Sequence, residues 1–307
     1  MAKRHLTIAT RESPLARRQA ELIKVLLLAA YPHLSIELLG ITTQADKMLD
    51  MTLTDIGGKG LFVRELEEAL LDGRADIAVH SMKDMPMDLP PGLCLPVMPS
   101  REDVRDAFVS DQYASLAQLP RGATVGTSSL RRQTQIRALR PDLTLRNLRG
   151  NVNTRLNRLD KGDFVAIILA AAGLNRMGLP SRIRSYFSVE QVLPAPGQGA
   201  LGIECCEEDE GTLALIVPLN HEMTYVCVAA ERALCHRLQG GCQVPIAAYA
   251  HIHHGMLTLH GLVANRDGTR ILQARLEGTP NHAVSIGVRA AEELIQQGAE
   301  KILREFK

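Results

Sequence analysis

Over the first two hundred residues, short apolar runs alternate with longer segments whose apolar positions recur every three or four residues. Strands alternating with amphipathic helices predict an α/β fold with a largely parallel sheet. Strands are expected over 6–9, 76–79, 124–126 and 165–170. Helices are expected over 61–71, 129–139 and 153–161. A further helix opens at Ser13-Pro14, where Ser suits the cap and Pro the first helical position. From about His221 the pattern changes to a helix over 224–238, a Gly240-Gly241 break, alternating strands around an Asp267-Gly268 turn, and a long final helix.

Two further segments read as hinges, 99–105, which opens on Pro99, and 194–199, where Pro and Gly both punctuate the chain. The expected organisation is therefore a first α/β lobe of residues 1–99 with 200–217, a second of 105–193, and a small α+β domain of 221–307. Two crossings between the lobes imply a cleft between them. A length of 307 residues agrees, being more than one compact core usually organises.

Composition removes several function classes. Aromatic content is 3% with no Trp, which leaves little for a base-stacking surface, and a net charge of +1 gives no general attraction to nucleic acid or membrane. The opening residues hold no apolar run of signal-peptide length and nothing later reaches membrane-span length, so a cytoplasmic protein is expected. The six cysteines then stay reduced, and their spacings match no zinc pattern. His251, His253 and His254 lack partner ligands in the sequence and read as a solvated loop, so no metal is expected. Charge is nonetheless uneven. Between Arg121 and Lys161 stand ten Lys or Arg against two acids, Asp142 and Asp160. One region expects an anion.

Polar and basic residues sit just after the predicted strands. Arg11 and Ser13 follow the first; Ser81, Lys83 and Asp84 follow the strand ending at Val79. Thr127, Ser128, Ser129, Arg131 and Arg132 follow the strand ending at Gly126, Arg149 leads to Arg155, and Arg176 comes soon after Ala170. Ligands of open α/β sheets bind beyond the carboxyl ends of strands. Helix N-termini there offer free N–H donors, and arginine adds a planar fork matched to carboxylates. The set as a whole suits a ligand with many carboxylates, whereas Arg137, Arg140 and Arg158 read as solvated helix-face residues. Asp84 beside Lys83 weakens anion binding unless it serves a cation formed during reaction; a salt bridge or helix cap is the plainer role. Gly57-Gly58-Lys59-Gly60 lacks full phosphate-loop spacing and reads instead as part of a mobile loop carrying Lys59. Cys242, flanked by Gly240-Gly241, is either an accessible nucleophile or incidental.

Five segments together resemble one family. Val79-His-Ser-Met-Lys-Asp-Met-Pro86, Gly126-Thr-Ser-Ser-Leu-Arg-Arg-Gln133, Leu148-Arg-Gly-Asn-Val152, Pro196-Gly-Gln-Gly-Ala200 and Gly240-Gly-Cys-Gln-Val-Pro245 are similar, in order and spacing, to porphobilinogen deaminases, also called hydroxymethylbilane synthases. The resemblance runs from about Leu6 to Leu303. It implies two lobes like those of periplasmic binding proteins plus a third domain, and a dipyrromethane cofactor joined by a thioether to Cys242. It implies a transferase that joins four porphobilinogen molecules head to tail on that cofactor, releases ammonia each time, and frees hydroxymethylbilane by hydrolysis. By the same resemblance Asp84 is the catalytic aspartate. Ser81, Lys83, Thr127, Ser128, Ser129, Arg131 and Arg132 meet the cofactor. Arg11, Ser13, Gln19, Arg149, Arg155 and Arg176 meet substrate, and Lys59 and Phe62 belong to a lid. The expected partner is porphobilinogen, with no nucleic acid, no membrane, and a monomeric state. Cys205-Cys206 is a vicinal pair outside the family pattern, as are Arg17-Arg18, Ala45 and Val104. The alternative from another class is a non-enzymatic two-lobed polycarboxylate-binding protein, which would need neither Asp84 nor Cys242.

Overall fold

Apolar alternation and helix caps decide most of what a computed structural model describes, which is residues 3–44, 63–241 and 244–306. Lys59, Phe62, Cys242 and the 57–60 glycine segment lie outside the described residues. The chain divides into two units, Met1–Arg101 with Ala200–Tyr225 and Glu102–Gly199 with Val226–Lys307. It leaves the first unit within the 99–105 segment and re-enters it directly after 194–199, the two segments read as hinges.

With strands numbered along the chain, the first unit holds β1 (His5–Arg11), β2 (Ser35–Ile41), β3 (Ile77–Ser81), β4 (Leu93–Val97) and, from its second segment, β10 (Leu201–Cys206). Their order is β2-β1-β3-β10-β4, with β1 parallel to β2 and β3, and β10 antiparallel to β3 and β4. Side chains alternate between the two faces of a sheet. Leu6 and Ile8 pack with Ile23 and Leu27 of the helix Pro14–Ala30 on one face. Ala9 and Ala78 pack with Leu66 and Leu70 of the helix Arg64–Leu71 on the other.

The second unit repeats this plan. Its sheet has the order β7-β6-β8-β5-β9, from β5 (Asp106–Val109), β6 (Thr124–Gly126), β7 (Thr144–Arg146), β8 (Ala166–Ala170) and β9 (Ser185–Tyr186). Here β6 is parallel to β7 and β8, while β5 is antiparallel to β8 and β9. Each sheet is thus largely parallel, as expected from sequence, and is made mixed by a single strand of opposite direction. The antiparallel strands β10 and β5 are the ones by which the chain enters each unit from the other. No helical crossover leads into them, so nothing forces the parallel direction that such a crossover imposes.

The rest of the second unit is an antiparallel sheet of β11 (Ile246–His253), β12 (Met256–Ala264) and β13 (Ile271–Gly278), packed by the helices Glu222–Arg237 and Ala283–Gln296. A Cβ at Gly287 would strike the Ala230 carbonyl, so the two helices cross closely there. The histidines expected in a loop are placed otherwise. His251 and His253 lie in β11, and the turn to β12 is only His254-Gly255, both with positive φ. A two-residue turn of that hand matches strand twist, so the ladder runs right up to it. Glu231, fully buried on the helix Glu222–Arg237, accepts N–H groups from Gly197 at 2.7 Å and Ala250 at 2.8 Å, and so ties the 194–199 segment to β11. Among the described residues no single helix is long and apolar enough to cross a membrane.

Candidate active site

In the first unit, β1 runs out at Arg11 and Ser13 caps the next helix, its Oγ accepting the Ala16 N–H at 3.3 Å. The positive end of that helix thus begins just after a basic side chain, Arg11. Gln19, buried on the same helix, donates from Nε2 to the Ser81 Oγ at 2.8 Å, which joins two of the expected site residues directly. Beyond Ser81 the chain makes one tight turn, Met82–Asp84. Met82 pins that turn, because its side chain is fully buried and its N–H donates to the Ala200 carbonyl at 3.0 Å. Gly202 makes room for it, since a Cβ there would collide with Met82 and Leu95. Lys83 and Asp84 are left half-buried at the mouth of the turn. Among the described residues the Asp84 carboxylate enters neither an ion pair nor a cap, the two structural roles open to it from sequence.

Behind this turn lies a buried polar group that the sequence reading passed over. His80 Nε2 meets Glu204 Oε2 at 2.8 Å, between β3 and β10, and Glu67 of the helix Arg64–Leu71 is buried alongside. Burial pushes the Glu67 carboxyl up to about 7, with the Glu204 charge adding to the effect and His80 opposing it. One signal was available: His80 and Glu204 each interrupt an otherwise apolar strand.

In the second unit, β6 ends at Gly126, where a Cβ would meet the Phe164 ring at 2.8 Å. Ser129 then caps the helix Leu130–Leu139, its Oγ accepting the Arg132 N–H at 3.4 Å, while the Ser128 Oγ donates to the Leu148 carbonyl at 2.8 Å. Thr127 is buried, and its Oγ1 accepts the Ser129 N–H at 3.4 Å. Arg131 and Arg132 turn inward. Arg131 donates to Asp106 Oδ2 at 2.7 Å and Arg132 to Oδ1 at 2.7 and 3.0 Å, with all three residues buried. Burial alone would raise the Asp106 carboxyl, but the two guanidinium groups outweigh it and hold it well below the usual range. Gln198 completes the cluster by donating to Asp106 Oδ1 at 3.0 Å and to the Val104 carbonyl at 2.6 Å. In this arrangement both guanidinium groups are committed to the protein interior.

Asn151 caps the helix Val152–Asp160 through Oδ1, which accepts the Thr154 N–H at 2.9 Å. Gly150 precedes it at φ +99°, a conformation glycine tolerates without strain, and the Arg155 Nε donates to its carbonyl at 2.8 Å. Arg149 and Arg155 are half-buried on this surface. Arg176 ends the short helix after β8, and among the described residues its hydrogen bond goes to a carbonyl, that of Gly199, at 2.7 Å. Burial lowers its pKa to about 10, with the Glu102 charge opposing. Its guanidinium thus has no hydrogen-bonded carboxylate among the described residues. By contrast Arg140 is taken up by Asp142, Arg158 by Asp163, and Arg137 by the Arg266 carbonyl, so each has a partner within the protein where a solvated helix face was expected.

Each unit therefore gathers helix starts, hydroxyls and arginines at the carboxyl ends of its strands, which suits a ligand with several carboxylates. Among the described residues no group of three or more His, Cys, Asp or Glu could hold a metal. A Cβ at Gly241 would meet nothing within 4 Å. Burial pushes the Cys235 thiol up to about 12.

Comparison with known proteins places the chain in one family. Residues 6–214 match the family model "Porphobilinogen deaminase, dipyromethane cofactor binding domain", and residues 225–296 match "Porphobilinogen deaminase, C-terminal domain". Among solved structures the chain is similar to a putative methionine-binding lipoprotein from Bacillus subtilis, at 13% identity and a TM-score of 0.44, over 71% of this chain and 90% of that one. It is also similar to the periplasmic aliphatic sulphonate binding protein from Escherichia coli, at 15% identity and a TM-score of 0.42, over 78% of this chain and 71% of that one. The two family matches between them take in both α/β sheets and the C-terminal sheet, and the chain belongs to the porphobilinogen deaminase family, enzymes of tetrapyrrole synthesis that work from a dipyrromethane cofactor.

Proposed function

We propose that this chain deaminates porphobilinogen and joins four molecules of it head to tail on a dipyrromethane held through Cys242, then releases hydroxymethylbilane by hydrolysis. The observation that carries this reading is Asp84. It stands half-buried at the end of β3, beside Lys83 and two residues beyond the buried Met82, with no structural partner among the described residues. A carboxylate without a structural partner among the described residues, next to a lysine, suits a reaction in which positive charge develops.

The dipyrromethane, when bound, supplies the growing end to which each new pyrrole is added. Its carboxylates suit the Ser81 and Thr127–Ser129 hydroxyls and the Lys83 ammonium. Arg11, Arg149, Arg155 and Arg176 receive the acetate and propionate groups of incoming porphobilinogen. Asp84 accepts hydrogen bonds from pyrrole N–H groups and offsets the charge that develops as ammonia leaves, an electrostatic contribution at the reacting centre. It also takes the proton released when the new carbon–carbon bond forms. Attachment through Cys242 fits the behaviour of four of the other five thiols: burial raises the pKa of Cys94, Cys205, Cys206 and Cys235, which slows their reaction near neutral pH.

The test is the intact mass of the purified protein beside that of Cys242→Ser, with turnover of Asp84→Asn measured in parallel. The native protein should carry an excess of two linked pyrrole units that the Cys242→Ser protein lacks. Asp84→Asn should lose turnover by roughly a hundredfold or more while still binding porphobilinogen, as expected when a charge-stabilising group is removed. A native mass without the excess, unchanged after incubation with porphobilinogen, would leave a protein that only binds polycarboxylates.

A further inference from the structure

Three cysteines of the first unit take no part in the site above. Strands β4 and β10 are antiparallel, and Cys94 lies directly opposite Cys205. Opposed residues in such a ladder have Cα atoms about 4.5–5.5 Å apart, inside the window of roughly 4.4–6.8 Å that a disulfide spans. The two Sγ atoms are already in contact at 3.7 Å. The register shifts between Ile203 and Cys205, an irregularity that loosens the strand at this point. Cys205 and Cys206, although adjacent, serve opposite faces of the sheet. Cys205 belongs to the core around Ile23 and Ile77, whereas Cys206 packs near Leu66 and Leu70 and donates to the Leu70 carbonyl at 3.4 Å. A bond between these neighbours would have to pull one of them through the strand. Cys205 is fully buried and Cys94 half-buried, so a reagent in solution reaches Cys94 first.

We propose that Cys94 and Cys205 form an oxidative modification site, converted by a peroxide or a small-molecule disulfide into a cross-strand disulfide. With peroxide, the Cys94 thiolate attacks the O–O bond, becoming a sulfenic acid as one oxygen leaves as water. The Cys205 sulfur then displaces the sulfenic hydroxyl as a second water, and the two electrons lost by the thiols have reduced the peroxide. With a disulfide reagent, Cys94 forms a mixed disulfide and releases one thiol, and Cys205 displaces the other. Burial raises both thiols, so the pair responds to strong or prolonged oxidation, and faster as pH rises. The bond would close a loop across a sequence separation of 111 residues. It would fix the edge strand β4 to β10 at the end remote from Leu201, which is the residue opposite Ser81.

The full-length protein is treated with hydrogen peroxide and, separately, with oxidised glutathione at about pH 8.5, alkylated, and mapped without reduction by mass spectrometry. The expected product is a peptide pair joining residues 94 and 205, two hydrogens lighter than its parts and separated by dithiothreitol. It should persist in Cys206→Ala and vanish in Cys94→Ala, and the oxidised protein should melt several degrees higher than the reduced one. A Cys205–Cys206 bond would overturn the proposal. So would Cys94 ending as a stable glutathione adduct, or remaining a free thiol after Cys206 has been fully oxidised.

Discussion

Asp106→Asn should lower the melting temperature by roughly 10 °C, because the Asp106 carboxylate is the counter-charge of two buried arginines. It takes N–H bonds from Arg131 at 2.7 Å, from Arg132 at 2.7 and 3.0 Å, and from Gln198 at 3.0 Å, with no exposure to solvent. Asparagine keeps the shape but turns one acceptor into a donor, so one guanidinium meets an N–H group. Both cations also lose their shared negative charge. Removing one partner of a buried ion pair costs roughly 3–5 kcal/mol, since the remaining charge stays desolvated. With about 2–4 °C per kcal/mol for a chain somewhat smaller than this one, the loss is read by circular dichroism as a fall of that order at pH 7. The charge adds a second expectation. The folded-state pKa of Asp106 is depressed, so its contribution is complete above the unfolded carboxyl value of about 3.9 and is lost as pH falls towards the folded value. The gap between wild type and Asp106→Asn should therefore be full from pH 6 to 8 and begin to shrink below about pH 4. A fall under about 3 °C at pH 7, or a gap that widens between pH 5 and pH 3, would refute the assignment of this cluster as a structural anchor of the second unit.

Glu67 should behave in the opposite sense. Its carboxyl titrates at about 7 when folded, so its contribution to stability is full below about pH 4.5 and declines as pH rises through 7. Glu67→Gln should accordingly be near neutral at pH 5 and stabilise at pH 8 by up to about 3 kcal/mol; urea titrations at the two pH values decide it, and an advantage confined to pH 5 would contradict the burial argument. Gly202→Ala should cost only about 1–2 kcal/mol in stability, because the Met82 side chain it strikes is flexible. That movement displaces the Met82–Asp84 turn, so kcat should fall far more than the melting temperature; an unchanged kcat would mean Met82 does not position the turn.

Local chemistry was legible in the chain. Ser13, Ser129 and Asn151 cap helices because each short polar side chain precedes a helical pattern and satisfies an N–H that the helix cannot. Strands β1, β3, β6 and β8 follow from runs that only a buried sheet can accept, and residues placed after such strands come with them. Three things depended on tertiary structure. The direction of β5 and β10 is set by where the chain re-enters each unit, and no pattern within a strand encodes that. His251 and His253 are strand residues because a two-residue turn at His254-Gly255 lets β11 continue, whereas polarity alone suggested a loop. Arg131 and Arg132 look like anion ligands in a basic segment, yet a partner 25 and 26 residues upstream of them, Asp106, draws both inward. A side chain's residue type fixes what it can bind; which partner it meets is fixed by folding, which here sets Asp106 against two arginines and leaves Asp84 with none among the described residues.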